Sequence, residues 1–209
     1  MSVHHLESII QKIKEKNPGE LFDAMLTTDI NTMMKEIEVL SNSILNPPVQ
    51  EIKKEPVERE LRDLQYIDFA NMDFRNKDFN FTNFTGTNLE NTNFENCTMV
   101  NCKFNNGNLS NCNFNNCNLE HSSFFQANIQ KSSFNKSIMK DCNMEDCNLS
   151  YSTLLEADLK NSNLTNAVLY KTNFSDADMT NVKLVNVVLT NTDMTNADIT
   201  NIDFTDFTM

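Results

Sequence analysis

Over residues 64–209 every fifth side chain is Leu, Phe, Met or Ile, without a break across thirty successive positions. The series starts Leu64, Phe69, Phe74, Phe79, Phe84 and ends Met194, Ile199, Phe204, Met209. A period of five matches neither the 3.6 residues of an α-helical turn nor the alternation of a strand, so these side chains share one interior only if the backbone turns a corner every five residues. That is a solenoid with short flat sides, built from self-similar units. Two residues before each apolar position the side chain is mostly small, as at Thr87, Thr92, Cys97, Cys102, Gly107, Ser122, Ala127 and Ala157. The remaining places are mainly Asn, Asp, Thr, Lys or Glu, with Asn recurring at the last one, as at Asn91, Asn96, Asn101, Asn106, Asn111 and Asn116. Asparagine suits corners because its side chain bonds local backbone and can form amide ladders between stacked segments.

Ala157-Asp158-Leu159-Lys160-Asn161 and Ala177-Asp178-Met179-Thr180-Asn181 resemble the A(D/N)LXX signature of the pentapeptide-repeat family. The resemblance covers residues 60–209 and implies an all-β solenoid, a right-handed quadrilateral β-helix. Four pentapeptides make a coil of twenty residues, with the central and minus-two side chains pointing inward. Residues twenty apart then stack at about 4.8 Å, and about seven coils extend roughly 35 Å. One column would run Phe74, Phe94, Phe114 and Phe134, then Leu154 and Phe174; another would run Phe84, Phe104, Phe124 and Met144. Offset aromatic contacts are expected within them.

The rest of the chain is different. Residues 1–45 show helical spacing, with Leu6, Ile9, Ile10 and Ile13 on one face and a second apolar set at Ile30, Met33, Met34, Ile37, Leu40 and Ile44. Residues 46–59 hold Pro47, Pro48 and Pro56 among charges and read as a semi-rigid linker. A β-solenoid presents unpaired strand edges at both ends, so the helical region is expected to act as a short N-terminal cap or docking element. At the other end Ile202, Phe204, Phe207 and Met209 continue the inward register with no helix following, and contact there with a second copy or another protein is expected.

Seventeen Lys and Arg stand against 29 Asp and Glu, a formal charge of −12, which disfavours direct binding of nucleic-acid phosphates. No apolar run is long enough for a membrane span, and no secretory signal is visible, so a cytoplasmic location is expected. Cys97, Cys102, Cys112, Cys117, Cys142 and Cys147 all occupy the small inward position and lack zinc spacing; they read as structural thiols. His4, His5 and His121 are expected to be solvated rather than clustered with a repeated carboxylate. No nucleophile elbow or phosphate-binding glycine loop is present. The expectation is a protein that is not an enzyme, with no catalytic residues, cofactor or metal.

Asp63, Asp68, Asp73 and Asp78, and again Asp158, Asp178, Asp193, Asp198 and Asp203, precede central residues. One branch of the resembled family comprises acidic DNA mimics that bind DNA gyrase and modulate quinolone sensitivity, which is the alternative function here. Against it, the signature itself permits Asp at this place, and the unbroken register leaves no room for loops projecting from the coils. Threonines 180, 190, 195, 200 and 205 fall on different sides of the coil, which disfavours an ice-binding array. Val168, Tyr170 and Val188 fall on one side in adjacent coils with Tyr151 at a neighbouring corner, an apolar stripe on a polar wall. The function expected is a protein–protein interaction scaffold or structural component of a larger assembly, with an unidentified protein partner at this stripe and a homodimer through the C-terminal end as a further possibility.

Overall fold

The computed structural model describes residues 62–202. The helices expected within 1–45, the linker 46–59, and Phe204, Phe207 and Met209 lie outside the described residues. Two short parallel strands, β1 (Arg62–Asp63) and β2 (Thr82–Asn83), begin a ladder that continues as single-residue parallel bridges, each joining positions twenty apart, from Asp68 with Asn88 to Asp178 with Asp198. This is the right-handed quadrilateral β-helix that the resemblance implies.

A pentad with Asn or Asp before its centre can satisfy all five backbone N–H groups, and the unit centred on Leu89 shows how. Leu89 N donates to Asn108 O at 2.7 Å and Asn91 N to Ser110 O at 3.0 Å, both in the next coil. Asn88 N donates back to Ile67 O at 3.1 Å in the previous coil. Thr92 N closes a turn on Leu89 O at 3.0 Å, and Glu90 N donates to the side-chain Oδ1 of Asn88 at 3.3 Å. A buried peptide group left unpaired would be costly, so a wall only one bridge long is viable because the corners are bonded too.

The turn that Thr92 closes needs a positive φ at its third residue, as in a type II turn. Every described corner has it, from φ 53° at Asn186 to φ 65° at Gly86. Other corners carry side chains at this φ, but at Gly86 a Cβ would lie 2.5 Å from the ring of Tyr66. The expectation that corner asparagines bond their own backbone is corrected. The residue just before the central one does this, as Asp68 Oδ1 does for Ala70 N at 3.0 Å and Asn93 Oδ1 for Glu95 N at 3.0 Å. The corner residue contributes its left-handed backbone instead, a conformation that Asn tolerates better than most. Corner amide ladders do form, between Asn91 and Asn71 at 3.1 Å and between Asn181 and Asn161 at 3.0 Å. A further ladder joins Asn128, Asn108 and Asn88 on one wall, each step 3.2 Å.

The small inward position also has a role beyond size. Ser122 Oγ donates to Met99 O at 2.7 Å and Thr92 Oγ1 to Phe69 O at 2.8 Å, each bonding the carbonyl of a central residue in the coil below. The core is dry: central side chains from Phe74 to Leu184 are fully buried. Phe94, Phe114 and Phe134 stack nearly parallel at 5.0 and 4.8 Å, and Phe84, Phe104 and Phe124 at 5.1 and 4.9 Å. Phe74 joins its column tilted by 45°. Inward burial fades at the last described coil, where Leu189 and Met194 are half-buried and Ile199 is 47% exposed. A central side chain needs coils on both sides to be covered, and no described coil follows this one.

Candidate interaction surface

The wall holding the Asn88–Asn108–Asn128 ladder changes character in its later coils. After Asn148 its middle position becomes Val168 and then Val188, which bridge one another in parallel. Asn148 Oδ1 still accepts from Ser150 N at 3.0 Å. A valine offers no such acceptor, so each Val gives up a turn bond worth about 0.5–1.5 kcal/mol and leaves apolar surface half-exposed. Tyr170 lies on the same wall, and the ring of Tyr151 at the adjacent corner meets it edge-on at 5.3 Å. Tyr151 is 49% exposed. The four residues expected to form a stripe are therefore neighbours in space.

Sequence reasoning missed one participant. Lys171 Nζ sits 5.5 Å from the Tyr151 ring centroid and 5.3 Å from that of Tyr170, a shared cation–π contact. The twenty-residue spacing of Lys171 from Tyr151 would have revealed it. Ile138, 40% exposed, occupies the same place in its pentad as Val168 but on another wall, outside the stripe. At the C-terminal end Ile202 is half-buried.

The acidic rows are tied into the turns and partly neutralised. Asp178 Oδ1 accepts from Thr180 N at 3.2 Å, and Lys160 pairs with Asp178 from the preceding coil. Partial burial alone would raise the Asp178 carboxyl, yet Lys160 and the Thr180 hydroxyl bring it below the usual carboxylate range. Lys140 pairs with Asp158 at 3.2 Å and Lys136 with Glu156 at 3.6 Å. The Arg75 guanidinium holds Asp73 below its ordinary value, and the Thr195 and Thr200 hydroxyls do the same for Asp193 and Asp198.

All six cysteines are buried free thiols. The thiols of Cys97, Cys112 and Cys117 each donate to a backbone carbonyl at 2.9 Å, as the serines in that position do. Burial pushes Cys97 up to about 11 and Cys112 and Cys142 up to about 12; Cys117 and Cys147 go higher still. Such thiols are neutral and unreactive.

One expectation about histidine is corrected. His121 does meet a stacked carboxylate: its Nδ1 lies 3.7 Å from Asp141 Oδ2, because both occupy the same corner column in consecutive coils. Glu120 adjoins them. His4 and His5 lie outside the described residues.

Two family profiles match the sequence, one described as pentapeptide repeats (8 copies) over residues 63–101 and one as pentapeptide repeat region over residues 121–192, together more than half of the chain. No curated protein matches. Among solved structures, a trypsin-treated variant of QnrB1, a plasmid-mediated fluoroquinolone resistance protein, is 14% identical with a TM-score of 0.41, covering 70% of this chain and 90% of its own. HetL, involved in heterocyst differentiation regulation in the cyanobacterium Nostoc, is 16% identical over 71% of this chain and 90% of its own, with a TM-score of 0.32. Rfr23 of the cyanobacterium Cyanothece 51142 is 15% identical over 84% of this chain and 98% of its own, with a TM-score of 0.36.

Proposed function

The chain belongs to the pentapeptide-repeat family, and from that premise we propose that it is a non-enzymatic scaffold which docks a protein partner on the wall bearing Val168, Tyr170 and Val188, with Tyr151 and Lys171 at its edge. The observation that carries the reading is the replacement of a hydrogen-bonded Asn column by valines on one wall, beside two contacting tyrosines under a lysine. Asparagine would serve the fold better at 168 and 188, so the apolar choice points to a surface that is covered in use. Tyr151 and Tyr170 supply rigid contact area of the kind enriched at interface centres. The wall is preformed, so docking would order little chain.

Photo-crosslinking tests it. A benzophenone residue at 170 should yield one discrete adduct from native extract, identified by mass spectrometry, whereas the same probe at 110, on the Asn-laddered part of this wall, should not. Val168→Asp together with Val188→Asp should abolish the adduct while the unfolding transition persists. Equal adducts at both positions would remove the proposal. For the acidic DNA-mimic alternative, the lysine-paired, turn-bonded aspartates argue against a free negative surface. Supercoiling by DNA gyrase, with and without quinolone, should be unaffected by the protein, and inhibition or protection would favour mimicry instead.

A further inference from the structure

We propose that Glu120, His121 and Asp141 form a surface site for a single divalent transition-metal ion, with zinc as its natural probe. One ligand atom from each residue lies within 4.8 Å of the others. In tetrahedral zinc sites, ligands at about 2.0–2.2 Å from the metal stand roughly 3.4 Å apart. The His121–Asp141 separation of 3.7 Å is already close to this, and rotation of the half-buried Glu120 side chain and the exposed His121 and Asp141 side chains would close the remaining gap.

Three features separate this cluster from an ordinary surface ion pair. The backbone beneath it is fixed: His121 N donates to Lys140 O and Asp141 N to Lys160 O, both at 2.9 Å, and Glu120 N donates to Asn118 Oδ1 at 3.1 Å. The ammonium of Lys140, next in sequence to Asp141, is directed elsewhere, paired with Asp158 at 3.2 Å. Glu120 has no cation paired with it among the described residues, so two carboxylates face one imidazole and a divalent ion would balance them. An imidazole with two carboxylates selects zinc, copper or nickel over magnesium and calcium, which prefer all-oxygen shells. Three protein ligands leave a coordination position for water or a group from another molecule.

Zinc titration of the metal-free, full-length chain by calorimetry tests the site, with His121→Asn and Asp141→Asn as probes. Asparagine already serves at other corners of the same column, so both variants keep the turn; unfolding curves verify this. The wild-type chain should bind one zinc equivalent, weakened about tenfold or more in either variant, and unchanged by excess magnesium or by His4→Ala with His5→Ala. Absence of zinc uptake, uptake unaltered by His121→Asn, or loss of uptake in the His4 and His5 variant would each overturn the assignment.

Discussion

Corners 91–116 and corners 121–156 carry the same backbone on different side chains. The first run is all asparagine, with φ between 57° and 62°; the second is His, Gln, Lys, Lys, Asp, Asp, Tyr and Glu, with φ between 55° and 64°. An ordinary L-residue pays about 1–2 kcal/mol to adopt this conformation, and Asn less. Both runs nonetheless hold it, because the corner N–H is bonded to the next coil in each, as Asn96 N is to Asn115 O at 3.0 Å and Lys136 N to Leu155 O at 2.9 Å. The shared core and the inter-coil ladder therefore impose the turn, and the residue at the corner is released for other work. The second run is where His121, Asp141 and Tyr151 stand, so surface chemistry falls where the corner residue varies.

If the core imposes the turn, cutting into it must damage both regions. Phe114→Ala, which removes the middle ring of a stack, should cost about 3–5 kcal/mol and Leu154→Ala about 2–5 kcal/mol in guanidinium unfolding. Loss in one coil but not the other would break the comparison. The thiols sharpen it by pH. An unfolded cysteine titrates near 9.0 and buried Cys112 near 12, so the folded state holds its proton more tightly. Its contribution is whole below pH 9 and falls between 9 and 12, by about 1.4 kcal/mol per pH unit for each thiol. Cys112→Ala should flatten the alkaline decline of stability by that slope relative to its own value at pH 7; an unchanged slope would mean that the thiol is not sealed from solvent.

Exchanging corner residues within one column tests the strain directly. Lys131→Asn should stabilise by up to about 1 kcal/mol and Asn111→Lys should destabilise by a similar amount. Equal stabilities would mean that the two runs do not differ in strain. The smallest change is expected at Val168→Asn, which restores the missing acceptor and should add about 0.5–1 kcal/mol. The same substitution should weaken partner capture at position 170. Stabilisation with capture intact would show that the valine has no role at the surface.

The central series was legible because burial of Leu, Phe, Met and Ile every five residues can be satisfied by few backbones. The six cysteines could likewise be placed inward from their position alone. The turn-bonding role of Asp68, Asn88 and their equivalents was not legible, since Asn and Asp at either end of a pentad look alike in composition; only φ distinguishes the corner from its predecessor. The stripe at Val168 and Tyr170 emerged once twenty residues were taken as one coil, and the same spacing stacks Lys171 on Tyr151. His121 and Asp141 were twenty apart in plain view, but they differ in type from the rest of their column and no local motif links them.

What the chain determined by itself is the pentad: its apolar centre, its small inward neighbour and its polar exterior, all set by side-chain volume and water. The tertiary structure decided which exterior groups meet. Contacts between coils depend on four successive corners returning the backbone to the same wall, so Glu120 with Asp141 and Lys171 with Tyr151 become neighbours through accumulated geometry rather than through any short-range preference.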